Sequence, residues 1–182
     1  MNFIDHSAKS IAKSIRSHHS EAGSEVALTY ALSLLINTLT AIVAALIVCS
    51  IAGHFVPCVI GMFSFILLRF VSGGMHMSSS LSCCVLTASI FIFTGFMTFD
   101  YSVTFMVLDA ISMIILLITA PNDIQNVSSI DTKYYPLLKL AALLIVASNF
   151  YVQSTVLTAA FISQAFLTTP IAYTIRDTIE GR

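Results

Sequence analysis

Residues 27–52 read ALTYALSLLINTLTAIVAALIVCSIA and contain no Asp, Glu, Lys or Arg. A helix crosses a bilayer with about 20 apolar residues, so this stretch is long enough for one crossing. The low charge continues beyond it, because from 26 to 122 only Arg69, Asp100 and Asp109 are charged. The sequence therefore predicts an all-α membrane protein.

The whole composition excludes a soluble domain. Of 182 residues, 57% are hydrophobic and 9% are charged, whereas roughly a quarter are charged in an ordinary soluble domain. Mean hydropathy is +0.93. The 8 Lys and Arg residues are balanced by 9 Asp and Glu residues, so there is no basic surface for nucleic acid. We expect the lipid bilayer to contact most of the chain.

Breaks in the apolar density divide the chain into about six predicted transmembrane helices. Polar or turn-forming residues interrupt it at 53–57, at 72–82, around Asp100 and along 120–136. Asp109 lies inside the fourth helix, where an ionisable group should face other helices. The predicted spans are 27–52, 55–71, 82–99, 102–119, 137–152 and 155–174.

Residues 1–24 are predicted to form a short amphipathic helix on the cytoplasmic membrane surface. Its apolar residues recur at helical spacing and its basic residues occupy other faces, which suits an anionic leaflet. A frayed basic tail is the alternative, because short helices are marginally stable in water. The apolar positions are Ile4, Ala8, Ile11 and Ile15, and the basic positions are Lys9, Lys13 and Arg16.

The basic residues also predict the orientation of the chain. With a cytoplasmic N-terminus and six crossings, all 8 Lys and Arg residues fall on the cytoplasmic side, as the positive-inside rule expects. Five crossings would leave some of them outside. This topology places both termini and residues 73–80 in the cytoplasm, with His54 and Gln153 at the outer face.

Reactive side chains converge in one segment, residues 69–84, which read RFVSGGMHMSSSLSCC. An imidazole at His76, with an ordinary pKa near ~6.5, can accept the proton of a thiol at Cys83, whose ordinary pKa is near ~8.5. In one continuous helix the two residues would be about 10.5 Å apart along the axis. If they act together, the chain must be non-helical between Gly73 and the serines at 78–80.

The start of the next helix would favour a thiolate. If Ser80 caps that helix, Cys83 is its third residue, and the positive end of the helix dipole lowers a thiol pKa there. Spacing alone leaves two other interpretations open. His76 and Cys83 can merely coexist in a polar loop, and His18 or His19 can replace His76 as the base.

The segment resembles the accessory gene regulator B family of membrane cysteine endopeptidases, which process quorum-sensing propeptides. The resemblance lies in Arg69, in Gly73 and Gly74, in His76, and in Cys83 seven residues later. The layout agrees, with a basic N-terminal segment, Glu25 and Tyr30 at the first span, and Ala120-Pro121 after the fourth.

This resemblance implies one integral-membrane peptidase domain over residues 25–182. Cys83 would attack a carbonyl of a short propeptide and form a thioester, with His76 as base and then as acid. A thiol or hydroxyl of the peptide would then attack the thioester and form a cyclic thiolactone or lactone. Arg69, Gly73 and Gly74 would support the site or bind substrate. Family analogy suggests a homodimer, and it implies neither cofactor nor metal.

The same residues are compatible with other functions and sites. A small transporter or sensor subunit is the alternative, with Arg69, His76 and Asp109 lining a polar path. A zinc site that includes His54 and Cys58 is implausible because both lie at the opposite membrane face. The four cysteines, Cys49, Cys58, Cys83 and Cys84, lack paired spacing and are expected to be free thiols. No third triad member stands out among Asp123, Glu25 and Asn37.

Overall fold

The computed structural model describes residues 3–19, 21–123 and 131–181, and over these ranges it is helical. The predicted all-α class is confirmed. A short 3-10 turn, Thr132–Tyr134, precedes α6, and part of the polar loop predicted at 120–136 lies outside the described residues. The helices are α1 (Phe3–His18), α2 (Glu25–Ile51), α3 (Phe55–Ser72), α4 (Ser80–Phe96), α5 (Val103–Thr119), α6 (Tyr135–Ala147), α7 (Asn149–Val152), α8 (Thr155–Leu167) and α9 (Pro170–Glu180).

The N-terminal amphipathic helix is confirmed as α1, and it packs against α2. Its buried face consists of Ile4, Ala8 and Ala12, whereas Ile11 is 43% exposed. Only part of the predicted apolar stripe therefore packs against the rest of the protein. At the turn between the two helices, the Arg16 guanidinium donates to the Gly23 carbonyl at 2.9 Å.

The six predicted membrane crossings are not confirmed, because length and composition identify fewer candidate spans. Among the residues that the structure describes, three segments are long and apolar enough to span a membrane, namely α2, α3 and 132–152, and the bent pair α8 and α9 would be a fourth. Helices α4 and α5 are apolar but have 17 residues each. At 1.5 Å per residue they are about 26 Å long, just short of a ~30 Å hydrocarbon core.

The last predicted span is wrong as a single helix over 155–174. The chain bends by 70° between α8 and α9, because Pro170 lacks a backbone N–H and restricts the residue before it. Thr169 is extended, and its hydroxyl accepts a hydrogen bond from the Ala172 N–H at 3.3 Å. A cap followed by proline starts a new helix here.

Small residues bring the helices of the core close together. A Cβ added at Gly61 in α3 would lie 2.5 Å from the Thr94 hydroxyl of α4, and one at Gly95 would lie 3.0 Å from the Cys49 sulfur. Small side chains at helix contacts are typical of membrane proteins. Large apolar side chains remain exposed on the outer faces, among them Ile47, Leu117 and Leu144, as expected of a surface in contact with lipid.

Asp109 faces other helices, as the sequence predicted. It is fully buried, and its Oδ2 accepts hydrogen bonds from Tyr101 at 2.8 Å, Asn149 at 2.8 Å and Thr158 at 3.1 Å. These partners come from the α4–α5 connection, α7 and α8. The Asp109 carboxyl group therefore links α5 to the α4–α5 connection, α7 and α8 at the end of the molecule opposite residues 73–80.

Candidate functional site

The glycine pair ends α3 and opens the segment that carries His76. Gly73 and Gly74 have φ angles of 67° and 124°, which favour glycine. Gly74 is also closely packed, because an added Cβ would lie 3.1 Å from the Leu167 carbonyl oxygen. The chain is non-helical from Gly74 until α4 begins, so the break predicted from the sequence is confirmed.

A polar junction behind the glycines fixes the path of this segment. The Gln164 amide nitrogen donates to the Gly73 carbonyl at 2.6 Å and to the Ser72 hydroxyl at 2.8 Å. The Ser72 carbonyl accepts from the Asn122 N–H, and the Asn122 carbonyl accepts from the Gly74 N–H, both at 2.9 Å. Sequence reasoning missed Gln164 and Asn122. The sequence did contain one indication of Gln164, because a glutamine stands among the apolar residues of α8.

Arg69 lies in the last turn of α3 and holds the segment from one side. Its Nη2 donates to the Met75 carbonyl at 2.7 Å, and its Nη1 lies 3.4 Å from the Gln164 Oε1. The same Nη2 is 3.3 Å from Nε2 and 3.4 Å from Nδ1 of His76. Since it is equally close to both ring nitrogens, it fixes the position of the ring without selecting a tautomer.

His76 is partly buried beside this guanidinium. Burial, and then the positive charge of Arg69, lower the pKa of the imidazole to about 4, whereas Asp123 opposes the shift. The ring is therefore neutral at neutral pH and has a lone pair that can accept a proton.

Cys83 and Cys84 occupy different environments at the start of α4. The residue that caps α4 is Ser79, so the expectation of a Ser80 cap is wrong by one position. Cys83 is the fourth residue of the helix, and its N–H donates to the Ser79 carbonyl at 3.0 Å. Cys83 is partly exposed, whereas Cys84 is buried with 7% exposure. Cys84 is therefore a packing residue of the core.

Two cavities meet at His76 and Cys83. One, of about 720 Å³, lies between α1, α2 and the start of α4. The other, of about 450 Å³, lies between α2, α3 and α4. His76 and Cys83 line both, and the second is lined by all five predicted site residues: Arg69, Gly73, Gly74, His76 and Cys83.

The accessory gene regulator B family model matches residues 7–175 of the 182-residue chain. The chain belongs to the accessory gene regulator B family. Membership fits a membrane location and a role in the processing of a quorum-sensing peptide. No curated protein and no solved structure matches the chain.

The other candidate residues differ in whether they line the two cavities. Asn37 lines both cavities, Glu25 only the first and Asp123 only the second. His18 lies at the end of α1 and lines neither cavity. His54 precedes α3 at the end opposite Arg69, away from the two cavities. Within the described part of the chain, no three His, Cys, Asp or Glu side chains are grouped to hold a metal ion.

Both terminal helices of the family member contact the segment that precedes Cys83. The Ser80 hydroxyl donates to the Asp5 carboxylate of α1 at 2.6 Å. The Ser78 N–H and hydroxyl each donate to the Glu180 carboxylate of α9 at 2.6 Å. The start of α1 and the end of α9 therefore lie on the same side of the molecule as the His76 and Cys83 pair.

Proposed function

We propose that this protein is a membrane cysteine endopeptidase that cleaves a short quorum-sensing propeptide and helps to cyclise the product. Family membership supports the class of substrate. The observation that carries the proposal is that His76 and Cys83, seven residues apart in the chain, line the same two cavities. A nucleophile and a base that share a cleft are the arrangement that covalent catalysis requires.

The first step is formation of an acyl-enzyme. His76, neutral at neutral pH, accepts the proton of Cys83, and the thiolate sulfur bonds to the scissile carbonyl carbon. The intermediate collapses as the carbon–nitrogen bond breaks, and the imidazolium gives its proton to the departing amine. The C-terminal part of the propeptide leaves, and the N-terminal part remains on Cys83 as a thioester.

The second step releases the peptide as a ring. A thiol or hydroxyl within the bound peptide gives its proton to His76 and attacks the thioester carbon. The Cys83 sulfur departs and regains a proton, and a thiolactone or lactone is formed. Exchange of one thioester for another is nearly balanced in energy, so exclusion of water matters more than driving force.

Arg69, Gly73 and Gly74 serve this chemistry by positioning. The Arg69 guanidinium holds the Met75 carbonyl and contacts the His76 ring. Gly74 allows the chain to pass within contact of Leu167, which no larger residue permits without strain. Errors of about 1 Å in the place of a catalytic group cost about a hundredfold in rate, so a fixed His76 is an advantage.

The cavity between α1 and α2 supplies room for the peptide beside the reactive pair. Its wall contains the charged side chains of Asp5, Lys9 and Glu25 together with apolar residues of α2. An amphipathic peptide matches such a mixed wall. We further propose that the protein is a homodimer and that it crosses the membrane six times, with both termini in the cytoplasm. The contacts of α1 and α9 with residues 78–80 support placing both termini on the side of the site.

Reconstitution in lipid vesicles with a tagged propeptide tests the function. The probe is a short peptide with an amphipathic N-terminal segment, a central Cys or Ser and an acidic C-terminal end. The expected products are a released C-terminal fragment and an N-terminal product one water lighter than the hydrolysed acid. Vesicles with Cys83→Ala protein are the matched control. Intact propeptide after incubation, or equal cleavage by the control, would contradict the proposal.

A further inference from the structure

Asn37 has an unusual position in the middle of α2. It is 4% exposed, and its Oδ1 is buried without a hydrogen-bond partner. Within the described ranges, the buried side-chain atoms without a partner belong to Asn37, Asp109, Tyr135 and Tyr173. Of these four residues, Asn37 is the one that lines the two cavities shared by His76 and Cys83.

A buried asparagine that serves the fold is normally bonded, and Asn149 shows the contrast. The Asn149 amide nitrogen donates to Asp109, to the Ser154 carbonyl and to Thr158, and its Oδ1 accepts from the Ser154 N–H. An unpaired buried amide costs free energy in the resting protein. A buried acceptor without a partner requires an explanation, and a binding or catalytic role is one of those known for such groups.

The reaction also needs hydrogen-bond donors for the attacked carbonyl group, and three of the backbone N–H groups near the pair have other partners. Attack by Cys83 places negative charge on the carbonyl oxygen, and donors aimed at that oxygen lower the barrier. Three backbone N–H groups near the pair are already engaged. Those of Gly74, Met75 and Cys83 donate to the carbonyls of Asn122, Leu167 and Ser79 at 2.9, 2.9 and 3.0 Å.

We propose that Asn37 is a catalytic residue that binds the peptide group attacked by Cys83. Its Nδ2 donates to the scissile carbonyl oxygen, and its Oδ1 accepts from a peptide N–H of the substrate. When the Cys83 sulfur bonds to the carbonyl carbon, the π electron pair moves to the oxygen and the Nδ2 hydrogen bond strengthens. The pair returns as the carbon–nitrogen bond breaks and His76 protonates the amine. This inference rests on the proposed function.

The test compares kcat, KM and thermal stability of Asn37 variants in vesicles with the same tagged propeptide. Asn37→Leu keeps the number and branching of the side-chain heavy atoms and removes the amide, and Asn37→Asp keeps the shape and removes the donor. Both should lower kcat by about 10²–10³-fold, the usual loss for one oxyanion donor. Asn37→Leu should melt at the same temperature as the parent or higher, because it removes an unpaired buried group.

Thr40→Val is the matched control on the same helix. The Thr40 hydroxyl donates to the carbonyl of Ile36 in its own helix, and Thr40 lines neither cavity. This variant should keep the parent kcat. A parent kcat in Asn37→Leu, or a loss of activity that follows a lower melting temperature, would overturn the inference. Cleavage that depends on Cys83 but not on Asn37 refutes only the inference, whereas cleavage independent of Cys83 refutes the proposed function as well.

Discussion

Two polar clusters lie among the apolar helices, and they differ in access. The Asp109 cluster is sealed: Asp109, Asn149 and Thr158 are at most 1% exposed and line neither cavity at the site. The cluster around His76 opens onto two cavities and contains a thiol and an imidazole. An ionisable residue occurs in both clusters, but only the cluster around His76 lies beside a cavity that can hold a substrate. Reactive groups beside a cavity that can hold a substrate are a stronger indication of a functional site than an ionisable residue alone.

The largest expected effect separates Cys83 from its neighbour. Cys83→Ala and His76→Ala should each lower cleavage by more than about 10³-fold, because they remove the nucleophile and the base. Cys84→Ala should keep most activity, since Cys84 is a buried packing residue. Single-turnover cleavage of the tagged propeptide in vesicles measures all three. Activity in Cys83→Ala with none in Cys84→Ala would transfer the nucleophile to Cys84.

The next effect concerns the charge beside His76. Because burial and Arg69 lower the pKa of His76 to about 4, the acid limb of the pH–rate profile should lie near pH 4 in the free enzyme. Arg69→Gln removes the positive charge and should move that limb to higher pH, with a rate loss of roughly 10–100-fold from poorer positioning. An acid limb near pH 6.5 in the parent would contradict the environment described for His76.

The lowered pKa of His76 also predicts how the stability of the protein changes with pH. The unfolded chain binds a proton at His76 near pH ~6.5, whereas the folded protein binds it only near pH 4. Protonation therefore favours unfolding as pH falls from about 6.5 to about 4. In thermal unfolding, His76→Gln should flatten the fall of melting temperature across this window. An equally steep fall in the variant would show that other groups cause it.

The sealed cluster should affect stability rather than chemistry. Asp109→Ala removes the acceptor of the Tyr101 hydroxyl and one of the acceptors of Asn149 and of Thr158, and should cost about 2–3 kcal/mol of stability. The saturated cleavage rate of the folded protein should change by less than about threefold, because the cluster is remote from both cavities. Asp109→Asn is the conservative control and should cost less. A parent melting temperature with a large loss of kcat would show that Asp109 takes part in function rather than in stability alone.

The smallest effect is expected at the N-terminal helix. Replacement of Lys9, Lys13 and Arg16 by Gln should raise the half-saturating propeptide concentration about tenfold, which is ~1.4 kcal/mol in total and lies within the ~1 kcal/mol that each basic residue near an anionic surface contributes. The maximal rate should stay near that of the parent. Lys133→Gln, an exposed lysine paired with Asp131, is the matched control. A large fall in the maximal rate would exclude a recruitment role.

The sequence predicted the helices well because apolar runs and their breaks are local features. It also predicted the residues that share the second cavity, because Arg69, His76 and Cys83 occur in one short segment. Gln164 was not predictable, since its contact with Gly73 joins positions 91 residues apart in the chain. The sequence also could not distinguish Ser79 from Ser80 as the N-cap of α4, because consecutive serines are equivalent in cap preference.

Capture of the acyl-enzyme tests the central claim most directly. The parent protein is mixed with the tagged propeptide in vesicles, quenched in acid and analysed by intact mass and peptide mapping. We predict an adduct of the N-terminal peptide on Cys83, which hydroxylamine removes and Cys83→Ala prevents, whereas Cys84→Ala retains it. Cleavage without any adduct, or an adduct that persists in Cys83→Ala, would contradict the account.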